Sequence, residues 1–566
     1  MISKVKNDIK NYLHDEYLKK YALDLNFIIE EPKRAGQGDL SIPCFTLLKV
    51  IKKSINEITE DIKELLSISP LSNLFQEINV IGGFVNITVS REELTKKVIR
   101  NLLEKEIGKN NEFNDEVICL DYSSPNIAKP FSIGHLRSTI IGQAIANIYE
   151  KCGAKTVRIN HLGDYGTQFG KMIYAYLNFG DKAKVQANPI EELVALYVKF
   201  HALAENDPNL EIEARKIFKE LEQGNEEYVK IWKWFREESL KEFNKMYERL
   251  NVKFDSYNGE AFYNDKMDAI VNELEDKNLL VLDDGAMVVK LEGDVPPAII
   301  KKNDGSTLYI TRDLAALFYR KHEYNFTKCL YVVGNEQKLH FEELKEVVKL
   351  MGYDFYQNIF HVNFGLVLQD GKKMSTRKGR AVKLIDVLDK AKEISLEYIN
   401  EKNPDLENKE EIAEKIGTSA IIFNDLRNYR ANDFEFDLES MVKFEGQTGP
   451  YLQYTYVRIN SILKNEQIDF NNIDYKLYLG DHYFEIIKEI AQYESILVRS
   501  AVECAPSYLA KYLLNLASLF NGFYAKEKIL VDNVSEKNSK EVLLYLVKQI
   551  LADGMKILGM SVIEKM

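Results

Sequence analysis

The hydrophobic patterning of this chain calls for a parallel α/β core carrying helical partners, and three observations point there. Short apolar runs that end in polar loops alternate with helical patterns between residues 117 and 368. Residues 1 to about 112 combine amphipathic helices with one turn-and-strand stretch, which reads as a small α+β domain. From about Val387 to Met566 helical spacing runs on with no strand pattern of note, which reads as a helical bundle. A chain of 566 residues is too long for one hydrophobic core, so three or more domains are expected.

Composition narrows the function classes. At 45% hydrophobic and 29% charged residues the chain reads as an ordinary soluble protein. Its cysteines, Cys44, Cys119, Cys152, Cys329 and Cys504, are scattered with no CxxC pair. That argues against structural zinc and a disulfide framework, and fits a reducing cytoplasm. The opening MISKVKNDIKNYL is a charged amphipathic helix rather than a signal peptide, and no apolar run reaches membrane-spanning length. A net charge of −12 does not advertise nucleic-acid binding, so an RNA partner would need local basic surfaces on an acidic body.

In chain order, helical patterns flank Gly36–Leu40, and Gly82-Gly83 followed by Phe84–Val89 reads as a turn and a strand. Val117–Asp121 is a short apolar run bounded by turn residues, a buried strand. Behind Ser123–Gly142, SSPNIAKPFSIGHLRSTIIG, the residues Leu136, Ile140, Ile141, Ile145 and Ile148 recur at helical spacing until Gly153, a helix-ending glycine. Between strand and helix lie Ser124, Asn126, Lys129, Ser132, Gly134 and His135, in a loop broken by Pro125 and Pro130. Strand, polar loop and helix make a phosphate-binding layout. Amides and dipole at a helix N-terminus favour an anion, and Gly134 lets backbone come close to it. The alternative is an ordinary connection with a capping serine. Lys155–Asn160 is a second strand ending in His161–Gly170, so the unit is a right-handed parallel βαβ whose ligands sit at the carboxyl ends of the strands, where both polar loops fall.

From about Ala187 to Glu292 the pattern turns helical and charged, with Tyr228, Trp232, Trp234, Phe235 and Phe243 at apolar positions, an insertion packed across the nucleotide fold. Glu260 within it reads, by itself, as a solvated loop charge. Leu308–Asp313 reads as a strand resuming the sheet before a helix from Leu314 to Arg320, with Asp313 in the first helical turn behind a possible cap, Thr311. Cys329–Gly334 is a buried strand with Asn335, Glu336, Gln337 and His340 at its carboxyl end. His361–Leu368 is the last strand and leads into Gly371–Arg380, a glycine-bounded loop carrying Lys372, Lys373, Arg377, Lys378 and Arg380. Gly446–Tyr454 opens a helix running to Arg458. Its tyrosines beside a basic residue can stack on unpaired bases at roughly 1–3 kcal/mol per base, or Tyr451, Leu452 and Tyr454 can be bundle core.

Ser132-Ile133-Gly134-His135 resembles the HIGH signature of class I aminoacyl-tRNA synthetases, and the longer SPNIAKPFSIGHLRST is similar to the arginyl-tRNA synthetase family in particular. Lys372–Gly379, KKMSTRKG, resembles the KMSKS loop in its arginyl form. Two departures stand out: Ser132 replaces the first histidine, and Thr376 the second lysine. The resemblance covers nearly the full chain with its motifs in order. It implies an N-terminal additional α+β domain at 1–112 that contacts the tRNA, a Rossmann-like catalytic domain at 113–386 with a helical insertion at about 187–292, and a helical anticodon-binding domain at 387–566.

The resemblance further implies ATP-dependent ligation of L-arginine to its tRNA through an arginyl-adenylate, with activation needing bound tRNA. Mg²⁺ would accompany ATP without a protein metal site, in a monomeric cytoplasmic enzyme with no membrane partner. Catalysis falls to His135, Ser132, Lys129, Lys373 and Ser375, with Lys129 supplying the charge that Thr376 lacks. ATP would meet Ser132, Gly134, His135, Gly334, His340, Lys373 and Met374. Arginine would meet Asn126, Gln168, Glu260, Tyr309, Asp313 and Gln337. The chemistry suits that pocket: a carboxylate meets a guanidinium through two parallel hydrogen bonds, and tyrosine adds a flat apolar wall with a polar tip. Phe84, Asn86, Tyr451, Tyr454 and Arg458 are the candidate RNA contacts. Two rivals stand beside this reading. A synthetase for another amino acid is disfavoured by the acids Glu260 and Asp313; a catalytically silent RNA-binding paralogue has only Ser132 and Thr376 in its favour.

Overall fold

Four of the apolar runs form one parallel sheet. Its strands are β1 (Val117–Asp121), β2 (Lys155–Ile159), β3 (Lys328–Tyr331) and β4 (Ile359–His361), in the order β4-β3-β1-β2. Cys119 at the centre pairs with Val157 on one side and Cys329 on the other, and all three are buried. The computed structural model describes residues 2–32, 37–293, 295–302, 309–374, 376–377 and 380–566.

Helices pack on this sheet and on one another. In chain order they are α1 (Ile133–Lys151), α2 (Gln168–Phe179), α3 (Glu226–Arg249), α4 (Tyr309–Tyr324), α5 (Lys338–Leu350), and beyond the sheet α6 (Leu384–Lys402) and α7 (Lys409–Leu426). The stripe expected on α1 is its buried face: Leu136, Ile140, Ile141, Ile145 and Ile148 are each at most 2% exposed. Each contributes roughly 1.5–3 kcal/mol by leaving water. Gly142 sits mid-helix at a cost of about 1 kcal/mol relative to alanine, because a Cβ there would stand 2.3 Å from Cγ of the buried Tyr122. Gly153, at φ +95°, ends the helix as expected. After β2 the chain crosses to β3 on the other side of β1. The strand order therefore reverses at β1, and a crevice opens at the carboxyl ends of β1 and β3.

Four expectations about elements need correction. Residues 309–313 belong to α4 rather than a strand: Ile310, Leu314 and Leu317 share a buried helical face, and Thr311 Oγ1 donates to the Ile300 carbonyl from inside the helix instead of capping it. His361–Leu368 is not one strand. The chain leaves the sheet after His361, and Val367–Gln369 pairs in parallel with Phe434–Glu435, a short strand within the stretch expected to be wholly helical. The insertion ends in an antiparallel sheet of Leu280–Asp283, Ala286–Val289 and Ala298–Lys301, its tight turn made by Asp284 and Gly285 at φ +47° and +79°.

Two compact units divide the chain. One comprises Asn111–Tyr454, Ser500–Ala510 and Met555–Met566 and holds the parallel sheet. The other comprises Met1–Asn110, Thr455–Arg499 and Lys511–Gly554. In the latter, Phe84–Val89 is the middle strand of a three-stranded antiparallel sheet between Leu40–Pro43 and Phe75–Ile81. The helix Ile55–Ser67 beside it starts with a reciprocal cap between Ser54 and Glu57. Among the described residues no helix is long and apolar enough to cross a membrane.

Candidate active site

The loop leaving β1 is held in an unusual backbone. Ser123, Ser124 and Ala128 all have positive φ, at 72°, 46° and 58°, a region L residues rarely adopt. Neighbouring elements hold it there: Ser123 N–H donates to Ser138 Oγ at 2.9 Å, Ser138 Oγ donates to the Val332 carbonyl at 2.7 Å, and Ala128 N–H donates to Ser239 Oγ at 3.0 Å. The loops after β1 and β2 are laced together, Ile127 N–H donating to Gly163 O and Gly163 N–H to Pro125 O, each at 3.1 Å. Gly163 is obligatory here, since a Cβ would stand 2.2 Å from Asn126 Oδ1. Such local strain held by several independent bonds is a mark of functional loops.

At the start of α1, Ser132 N–H donates to His135 Nδ1 at 3.1 Å, with Ser132 Oγ also 3.2 Å from that nitrogen. An Nδ1 that accepts leaves the proton on Nε2, so His135 presents an N–H donor on its far side. Burial pushes the imidazole down to about 4, so at neutral pH it is an uncharged donor. Serine in the place of the first signature histidine thus orients the second one. Phe131 packs against His135, Phe243 and Tyr247, closing the apolar side of the loop.

Backbone hydrogen bonds tie this motif to the residues just past the lysine-rich segment. Ile133 N–H donates to Val382 O and Leu384 N–H to Phe131 O, with Ser132 and Lys383 bridged between them. At its other end the segment is anchored where Met374 N–H donates to Val367 O. Lys372 and Lys373 are exposed, Met374 is buried, and Lys129 is exposed. Ser375 lies outside the described residues.

The two acids Asp313 and Glu260 stand near one another. His340, on α5, lies with Nε2 2.6 Å from Asp313 Oδ2 on α4. Burial raises the Asp313 carboxyl, but its hydrogen bond to His340 and the charges of His340, His161 and Arg320 outweigh that and hold it below its usual range. Burial likewise pulls His340 down, and the bond to Asp313 and its charge lift it above the usual imidazole value. Glu260 is pushed up to about 7, by burial first and by the neighbouring charges of Asp313 and Asp164, against the pull of Arg312, whose Nη1 is 3.7 Å away. Glu260 is therefore no solvated loop charge. Gln168, at the start of α2, is half-buried; Tyr309, Gln337 and Asn126 are exposed. Gly334 is buried where a Cβ would stand 2.4 Å from the Glu336 carboxylate.

Three participants were not apparent from the sequence. Asp164, in the loop after β2, accepts from Arg236 Nε at 3.0 Å and from Ala261 N–H at 2.9 Å, fixing the insertion and the Glu260 turn together. Arg320, 1% exposed, pairs with Asp121 at the end of β1 at 2.7 Å. Arg137, two residues after His135, is buried against Asp425 of α7 at 3.1 Å, and also donates to the carbonyls of Asn432 and Arg430. A lone arginine on an otherwise apolar helix face is the signal that could have found the last.

The candidate RNA contacts are dispersed. Asn86 is 5% exposed and its Oδ1 accepts from Ser41 Oγ at 2.7 Å, so that side chain is engaged inside its own unit. Phe84 is half-buried, edge-on to the exposed Phe45. On the helix Gly449–Leu463, Leu452 is core, Tyr451 is half-buried and Tyr454 exposed, while Arg458 donates to Asn521 Oδ1 at 2.8 Å and lies over Tyr524.

A parallel sheet whose switch-point crevice joins a histidine motif to a lysine-rich segment defines a class I aminoacyl-tRNA synthetase, and the family model described as "tRNA synthetases class I (R), catalytic domain" matches residues 97–438. The models "Arginyl tRNA synthetase N terminal domain" and "DALR anticodon binding domain" match 3–89 and 452–566. The chain is 48% identical over 544 residues to the arginine–tRNA ligase of an Exiguobacterium species, covering 95% of each, and 46% identical to that of Enterococcus faecalis, covering 99% of this chain and 100% of the other. Its fold is similar to the crystal structure of arginyl-tRNA synthetase from Plasmodium falciparum, at TM-score 0.83 and 26% identity over 99% of both chains. The chain belongs to the arginyl-tRNA synthetase family, and is an arginine-specific class I synthetase that uses ATP to charge tRNA.

Proposed function

We propose that charging runs in two steps at this crevice, with the residue roles expected from the sequence. The arginine carboxylate attacks the α-phosphorus of ATP, the bond to the β-phosphate oxygen breaks, and pyrophosphate leaves. The terminal ribose hydroxyl of tRNA then attacks the adenylate carbonyl, and AMP leaves. The observation that supports this reading is the backbone lacing of Phe131–Ile133 to Val382–Leu384, which ties the turn ahead of His135, with its neutral Nε2–H donor, to the chain just past the lysine-rich segment. Their task is to position reactants and stabilise phosphate charge, without a covalent enzyme intermediate. Lys129, exposed in the strained loop, adds charge for the phosphates, and Ser375 acts beside Lys373 in the same stretch of sequence.

Gly134, Gly334, His340 and Met374 complete the ATP side; Asn126, Gln168, Glu260, Tyr309, Asp313 and Gln337 receive arginine, the two acids facing its guanidinium. Mg²⁺ arrives with ATP as its counter-ion; among the described residues no cluster of three or more His, Cys, Asp or Glu side chains is placed to hold a metal. Phe84, Tyr451, Tyr454 and Arg458 meet the tRNA, and Asn86 joins them only by giving up Ser41. The working division is 1–112 for tRNA contact, 113–386 for catalysis and 387–566 for the anticodon, in a cytoplasmic monomer whose activation step needs bound tRNA. Arginine-dependent ATP–pyrophosphate exchange measured with and without tRNA tests this: exchange only with tRNA is expected, and equal exchange without it refutes tRNA-dependent activation.

A further inference from the structure

Both carboxylates assigned to the guanidinium already hold a cation of the chain itself. Asp313 Oδ2 is 2.6 Å from His340 Nε2, and Glu260 Oε2 is 3.7 Å from Arg312 Nη1. The first contact is the tighter and the only one whose cation can shed its charge near neutral pH. A guanidinium meets a carboxylate through both oxygens at once, so it and the imidazole compete for Oδ2. Leaving both in place would set two positive groups against one carboxylate, with the buried Arg320 guanidinium also acting on it.

We propose that substrate arginine binds by exchange: its guanidinium displaces the His340 imidazolium from Asp313, and the imidazole gives up its Nε2 proton to solvent as it leaves. This rests on the arginine-binding role proposed for Asp313. Asp313 stays ionised throughout, so the arriving positive charge replaces the departing one. His340 is faced by Asp313 from α4 and by Glu343 from its own helix; Asp313 is faced in turn by His161, Arg320, Glu260 and Tyr331. His340 lies above its usual pKa while that bond lasts, so the contact with Asp313 favours the protonated imidazole that the exchange releases. Glu260 also sheds a proton when a guanidinium arrives, since it stands near 7, so the two contributions must be separated.

The test is calorimetric titration of the full chain with L-arginine at pH 7, with and without bound tRNA, in buffers of different ionisation enthalpy, which counts protons released per arginine bound. The wild type is expected to release more than His340→Asn and His340→Gln by roughly 0.3–1 proton, while Glu260→Gln keeps that His340-dependent share. The wild-type dissociation constant should also rise more steeply than that of the variants as pH falls from 8 to 6. Equal proton release in wild type and both His340 variants overturns the exchange, and so does arginine binding lost at every pH in both variants, which would make His340 a fixed prop of the pocket. Arginylation of tRNA is measured on the same samples. Failure of the wild type to charge tRNA with arginine counts against the proposed function, whereas normal wild-type charging without His340-linked proton release counts against the exchange alone.

Discussion

Arg137→Met severs the buried link between the helix that carries His135 and α7. Arg137 and Asp425 are each 1% exposed, and Arg137 Nε lies 3.1 and 3.2 Å from the two carboxylate oxygens. Methionine keeps a long apolar side chain and removes the charge. Breaking one side of a buried ion pair costs about 3–5 kcal/mol. An independent route gives the same size: holding Asp425 protonated at pH 7, from an ordinary value of 3.8, costs about 4 kcal/mol at 1.36 kcal/mol per pKa unit. The routes agree because protonation is the escape that caps the penalty. The carbonyls of Arg430 and Asn432 lose their donors too, adding roughly 1 kcal/mol each. The readout is guanidinium unfolding followed by tryptophan fluorescence. Both tryptophans, Trp232 and Trp234, lie on α3 in the same unit as the ion pair, so the signal reports that unit. Burial already pushes Asp425 up against the charge and hydrogen bond of Arg137, and without Arg137 it moves higher. A carboxyl with a folded pKa above its unfolded one destabilises as pH rises, so the deficit should shrink toward acid by about 1.4 kcal/mol per pH unit. Adding Asp425→Leu removes the stranded charge and should recover at least about 2 kcal/mol. A deficit below about 1 kcal/mol, or a double variant no more stable than the single, refutes the reasoning.

Two further predictions concern the site. His135→Ala removes one preorganised donor and should lower kcat for arginylation about 10²–10³-fold; because burial holds His135 at about 4, it is neutral above that, and the wild-type pH–rate profile should carry no His135 limb between pH 6 and 8. Gly163→Ala drives a Cβ into Asn126, 2.2 Å from its Oδ1, and should raise the KM for arginine about tenfold or more, as expected when a substrate contact is misplaced, with far-UV circular dichroism unchanged.

The two signature loops were legible because each breaks an otherwise regular pattern: a polar, proline-punctuated run between a strand and a helix, and a burst of cations between glycines. Strands β1 and β2 and the stripe of α1 followed from apolar periodicity alone. Residues 309–313 misled because Ile310 and Thr311 favour strands locally, while the buried face they share with Leu314 and Leu317 is decided by packing on the sheet. The hairpin at Asp284-Gly285 carried a readable turn signal that the charged context obscured. What no local pattern contains is partnership over distance. Arg137 and Asp425 are 288 positions apart, and Glu260 owes its raised pKa to burial beside Asp313 and Asp164, against the pull of Arg312, a setting the chain assembles only on folding.

The left-handed residues Ser123, Ser124 and Ala128 set a limit on how durable this enzyme can become. Each non-glycine in that conformation costs roughly 1–2 kcal/mol, repaid through the side chains of α1 and α3 that grip the turn. Selection for heat tolerance would gain by putting glycine there, and would slacken the very curve that aims Asn126 and Lys129. Longevity and turnover pull against each other in six consecutive residues.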